Sequence, residues 1–221
     1  FGVDQARGAA MLRQVAEQPG VRHVRAASGV RFDLALGDAE AISAYTREFT
    51  GGQLKIAPEH IAEDVLRLMR KQSLAVFEKF RERFARLSEA AGKEQYVIPY
   101  LMSAYPGCTD EHMRELAAWL KKRNWSPRQV QCFIPTPGTV ATAMFYAEKD
   151  TKGRPLHVAR TDADRMRQHY LLLGRDKMRH DAGKHPGAAQ KAGPGKGGPP
   201  TGKARDANRG GGPRRAPGRR R

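Results

Sequence analysis

Apolar positions along this chain change period repeatedly, and the changes mark its elements. A helix-like opening runs to Pro19-Gly20, "VRHVRAAS" then reads as a strand, and "DAEAISAYTREF" reads as a helix starting near Asp38. After a Gly-Gly break, "QLKIAP" forms the next strand. A helix is expected from about residue 61, with Ile61, Val65, Leu68 and Met69 on one face. Leu74, Phe77, Phe80, Phe84 and Leu87 repeat that face farther on, and Gly92 ends the helix. "EQYVIPYLMSAY" is the longest strand candidate. The segment "TDEHMRELAAWLKKR" follows as a helix with Thr109 as N-cap, acidic residues at its start and basic ones at its end. "VQCFIPTPGT" reads as a further buried strand, and a last amphipathic helix, "TDADRMRQHYLLL", starts near Thr161.

Strands alternating with helices imply βα units and a parallel sheet, because parallel neighbours need a long crossover. A barrel or part of one is the expected architecture. In such sheets ligands collect beyond the carboxyl ends of the strands. Those ends read Ser28-Gly29-Val30-Arg31, Ala57-Pro58-Glu59-His60, Ser103-Ala104-Tyr105-Pro106-Gly107 and Thr136-Pro137-Gly138-Thr139.

Charge changes the picture mainly at one end. Of the net +17, residues 181–221 contribute +9, from 11 Lys or Arg against two Asp. That stretch also holds 11 Gly and 6 Pro with almost no large apolar side chains, so burial cannot offset its ordering entropy and a disordered basic tail is expected. Such a tail suits nonspecific contact with nucleic-acid phosphates. The two cysteines, Cys108 and Cys132, lie in no CxxC or CxxxCxxC pattern, which favours a reduced, cytoplasmic chain without a metal site of its own. No apolar run reaches the roughly 20 residues of a membrane span. The opening on Phe1, in mid-helix pattern, suggests a fragment of a longer protein.

Individual residues leave two readings open. Ser28 and Arg31 flank a glycine that lets backbone pass close to a ligand, and the Arg fork suits carboxylate or phosphate. The other reading is a tight turn with a surface salt bridge. Lys55 either points into a barrel towards a carboxylate or lays its stem outward on apolar surface. His60 has the capacity to bind a ligand or titrate near neutrality, yet it has no metal-spaced partner. Cys108 has no evident paired base. No Walker loop, GxGxxG, Ser-His-Asp order or HExxH is present, so those enzyme classes lose support.

Four ordered blocks, "ASGVRFDL", "LKIAPEHIAEDVLRLM", "GKEQYVIPYLMSAYPGCT" and "VQCFIPTPGT", closely resemble consecutive blocks of the YgiQ-type radical SAM proteins. The resemblance implies the C-terminal part of an incomplete (β/α)6 radical SAM barrel over residues 1–147 and is weaker over a helical extension at 148–180, ahead of the compositionally read tail over 181–221. It further implies an enzyme that, when intact, binds a 4Fe-4S cluster and S-adenosylmethionine and generates a 5'-deoxyadenosyl radical; the substrate and catalytic residues stay unknown. By resemblance Glu59 lies at the methionyl or ribose part of the cofactor, Ser103 near ribose or adenine, and Gly138 near adenine. As helix-start or turn chemistry the same three residues would cap free N–H groups or shape a loop. The CxxxCxxC loop of the family is absent from these 221 residues, so the chain alone is expected to be inactive. A barrel remnant serving only as an interaction module is the remaining alternative.

Overall fold

The computed structural model describes residues 3–127 and 129–173. The expected tail lies outside them, as does the end of the expected helical extension. In chain order the elements are α1 (Gln5–Ala16), α2 (Phe32–Leu36), α3 (Ala39–Arg47), β1 (Gln53–Glu59), α4 (Glu63–Leu68), α5 (Leu74–Ala90), β2 (Tyr96–Ser103), α6 (Asp110–Lys122), β3 (Gln129–Cys132), α7 (Val140–Ala147) and α8 (Asp162–Leu172). The three strands form one parallel sheet in the order β1-β2-β3. This is a mixed α/β architecture, with eight helices among the described residues.

Local chemistry sets most boundaries. Asp38, Thr109, Thr139 and Thr161 each accept a backbone N–H in the first turn of the helix they precede. At Thr109 the cap is reciprocal: Thr109 Oγ1 accepts from the His112 N–H, and His112 Nδ1 accepts from the Thr109 N–H. A histidine thus does what Glu or Gln does in most capping boxes. Helix α5 ends as Gly92 predicts, with φ +63 at the glycine, Gly92 N–H bonded to Glu89 O and Lys93 N–H to Ser88 O.

Two expectations need correction. Residues 21–28 are not a strand; the segment is held by scattered bonds such as Ala26 N–H to Phe49 O at 2.9 Å, and only just beyond it does Val30 N–H reach Lys55 O of β1 at 3.2 Å. Two arginines and a histidine interrupt the apolar alternation there, so no continuous ladder repays ordering the segment. The single helix expected from residue 61 to Gly92 is two, α4 and α5. Arg70, at φ +55, sits where α4 closes through Lys71 N–H to Leu66 O and Arg70 N–H to Arg67 O. That six-to-one and five-to-two pair is the ending for which glycine is the usual residue. Helices α2 and α7 were not foreseen, since five and eight residues are too short for periodicity to show.

One face of the sheet is covered. Leu54 and Ile56 of β1 pack with Phe77, Phe80 and Phe84 of α5 and with Ile42 and Ala44 of α3. Leu101 of β2 packs with Met113, Leu116 and Leu120 of α6 and Leu171 and Leu172 of α8. The spacing of the α5 phenylalanines brings all three rings onto one stripe, each no more than 2% exposed, and each such burial stabilises by about 1.5–3 kcal/mol. Strand alternation puts the other set, Lys55, Ala57, Ile98, Tyr100, Met102 and Gln131, on the opposite face, where none is buried. That open face carries the candidate site.

Candidate functional site

The cleft at the open face is built from the turn before α2 and from β1 and β2. Ser28, Gly29, Val30 and Arg31 form one wall, Lys55 and Ala57 the floor, and Tyr100 the far side, enclosing about 370 Å³. Gly29 makes the close approach possible: its φ is +100, and a Cβ there would lie 2.9 Å from the Lys55 carbonyl oxygen. The cleft floor is positioned by register. Lys55 pairs with Ile98, so it and Tyr100 stand on the same face two residues apart along neighbouring strands, and the Tyr100 hydroxyl donates to Gln131 Oε1 at 2.7 Å.

Three of the six site residues read from the sequence therefore meet, namely Ser28, Arg31 and Lys55. Lys55 is exposed and lines the cleft. Arg31 has its fork engaged, donating through Nε and Nη2 to Asp33 at 2.9 and 2.7 Å, which holds the Asp33 carboxyl below its usual range.

Glu59, Ser103 and Gly138 do not line this cleft. Glu59 sits at a break in register, with Ile56 opposite Pro99 but Glu59 opposite Leu101, so β1 carries one extra residue. Its φ is +68, and the His60 N–H closes a three-residue turn on Pro58 O at 2.9 Å. Plain alternation would put Glu59 beside Lys55 and Ala57. The bulge instead presents it to Lys71, whose Nζ lies 3.2 Å from Oε1 and 3.3 Å from Ala57 O. Oε2 is buried without a hydrogen bond, and burial pushes the carboxyl pKa up against the pull of Lys71.

Ser103 is fully buried, with Oγ 3.4 Å from His169 Nδ1. Next to it the buried Gln168 bridges the strand exit, accepting from the Ala104 N–H at 3.0 Å and donating to Cys108 O at 2.9 Å. These contacts hold α8 against the end of β2. Gly138, at φ +78, has open space around its missing Cβ in the exposed turn before α7.

His60 is wholly buried and neutral. Its Nδ1 accepts from the Ala62 N–H at 3.0 Å, so the proton sits on Nε2, 3.7 Å from Cys108 Sγ. Burial, with the neighbouring His112, brings its pKa down to about 4, while burial pushes the Cys108 thiol up to about 12. A base does stand beside Cys108, contrary to the sequence reading. Both shifts favour uncharged forms, however, so the pair is packing and not an activated nucleophile.

The residues missed from sequence are Tyr100, Arg70 and Lys71. Tyr100 becomes a cleft residue only once the β1–β2 register is known, and the other two only once the α4–α5 break is known.

Fold and site together define a parallel α/β chain with a helix-covered face and a cleft on the open face beside its first strand. Its sequence is similar to the UPF0313 proteins. It is 48% identical over 178 residues to one from Geobacter sulfurreducens, covering 78% of this chain and 29% of that protein. A Vibrio vulnificus relative is 43% identical over 169 residues, and a Methanosarcina acetivorans relative 40% over 172, covering 22% and 23% of those proteins. The chain thus spans less than a third of these relatives' length. No family model matches it.

Proposed function

We propose that this chain is a segment of a YgiQ-type radical SAM protein, and that the open-face cleft is part of its S-adenosylmethionine pocket. The supporting observation is the cleft itself: about 370 Å³, on the open face of the parallel sheet, with a cation on the floor and backbone brought close by Gly29. Small-molecule pockets span roughly 300–1,000 Å³ and combine apolar walls with a few placed polar groups. Lys55 would hold the methionyl carboxylate, the Ser28 hydroxyl would bond to a ribose or amino group, and Tyr100 offers an aromatic surface. When bound, the cofactor would supply a sulfonium for reductive cleavage.

A 4Fe-4S cluster does not fit the described residues. No group of three or more His, Cys, Asp or Glu among them is arranged to hold a metal, and Cys108 is sealed in apolar surroundings. The cluster loop would come from the portion of the longer relatives that this chain does not span.

Titration calorimetry with S-adenosylmethionine tests the pocket. Lys55→Ala should weaken binding about tenfold, the worth of one charge-assisted contact. Binding that is absent, or unchanged in the variant, contradicts the assignment.

A further inference from the structure

Behind Arg31 a second, smaller cavity of about 150 Å³ opens between α2 and the α4–α5 break, lined by Val30, Arg31, Asp33, Arg70, Lys71 and Gln72. We propose that it binds a small anionic group, a carboxylate or a phosphate, independently of whether the neighbouring cleft takes S-adenosylmethionine.

Charge is the first argument. Three cations line the cavity. The Arg31 fork is spent on Asp33, and Lys71 reaches Glu59 at 3.2 Å. Arg70 has no carboxylate within ion-pair distance among the described residues, whereas the other two cations each have one. Arg31 and Lys71 each retain N–H donors beyond those their carboxylates use.

Backbone conformation is the second argument. Arg70 occupies the left-handed position that closes α4, at φ +55, where glycine would be less strained by about 1 kcal/mol. A β-unbranched cation kept in such a position points to a use for its side chain. The turn it makes sends Lys71 back to the β1 exit, bonded to Ala57 O, so both cations border the cavity from one two-residue stretch. An exposed cation near a helix C-terminus also meets the negative end of the helix, but any of the last-turn positions would serve that purpose without the left-handed backbone.

The size suits a single carboxylate or phosphate group. Val30, Arg31 and Ala57 line both this cavity and the cofactor cleft, so an anion held here would sit beside whatever the cleft binds.

The test is amide NMR of the 221-residue chain, titrated with inorganic phosphate and, separately, with acetate, at ionic strength held constant with potassium chloride. Saturable shifts confined to Val30, Arg70, Lys71 and Gln72 are expected for at least one anion. Phosphate alone identifies the phosphate class, acetate alone the carboxylate class, and both the shared chemistry. Arg70→Gln should weaken binding about tenfold and Arg70→Lys by less, since lysine keeps the charge and loses the fork. Lys79→Gln, an exposed cation on α5, should change nothing. Linear shifts spread across the basic surface, or full binding in Arg70→Gln, overturn the proposal.

Discussion

At the scale of the residue, the neighbours Glu59 and His60 are shifted by burial with opposite effects on the pH dependence of stability. His60 is depressed to about 4 in the fold, so the unfolded chain takes up its proton first as pH falls from about 6.5. Its contribution is complete above pH 6.5 and is lost as pH drops towards 4, by about 3 kcal/mol at most. Glu59 runs the other way: its raised carboxyl pKa makes ionisation costly, so stability falls as pH rises from about 4.5. Urea midpoints measured from pH 4 to 7 should therefore rise less steeply with pH in the natural chain than in a variant without the Glu59 carboxyl. In Glu59→Gln the steeper His60 dependence should emerge, and a flat profile in that variant contradicts the buried neutral histidine. Gly29 makes a second residue-scale prediction. Gly29→Ala strains a φ of +100 and meets the Lys55 carbonyl at 2.9 Å, costing about 1–3 kcal/mol in denaturant melts and weakening any cleft ligand.

At the scale of the element, α5 is the part of the fold most dependent on its own stripe. Phe80 stacks on Phe84 at 6.2 Å and meets Phe32 edge-on at 6.0 Å, joining α5 to α2 beneath β1. Phe80→Ala should cost about 3–5 kcal/mol in equilibrium unfolding, and a loss under 1 kcal/mol would mean that the stripe is not core. Most helices and strands were legible in the sequence because caps, glycine stops and apolar period are written within a few residues of each boundary. The α4–α5 break was not. Apolar residues resume at Leu74 and Phe77 after only four polar positions, and the nine residues from Val65 to Leu74, half a turn out of phase for one straight helix, are the trace that the break leaves in the sequence; the break itself turns on an arginine in a conformation that arginine seldom adopts.

At the scale of the whole molecule, no helix among the described residues is long and apolar enough to cross a membrane. The net charge of +17 is divided between the α/β part and the stretch 181–221. Nonspecific nucleic-acid binding, read from that stretch, makes a separable prediction. Deleting residues 181–221 should abolish retention on a DNA column and remove its salt dependence, leaving the melting of the α/β part unchanged. Retention by the shortened chain would move the basic site onto the folded part.

What the sequence determined by itself was what local chemistry controls: most of the alternation of strands and helices, the capping residues and the location of the excess charge. Tertiary structure decided which side chains meet. Ser28, Arg31 and Lys55 come together because Gly29 lets one backbone approach another, and Tyr100 joins them because the β1–β2 register puts it on the same face. Glu59 is turned away by one extra residue in β1, and a single-residue bulge reverses the face of every position after it without changing the pattern that precedes it. Register and bulges depend on contacts between segments some forty residues apart in sequence, such as Lys55 with Ile98, which no local pattern encodes.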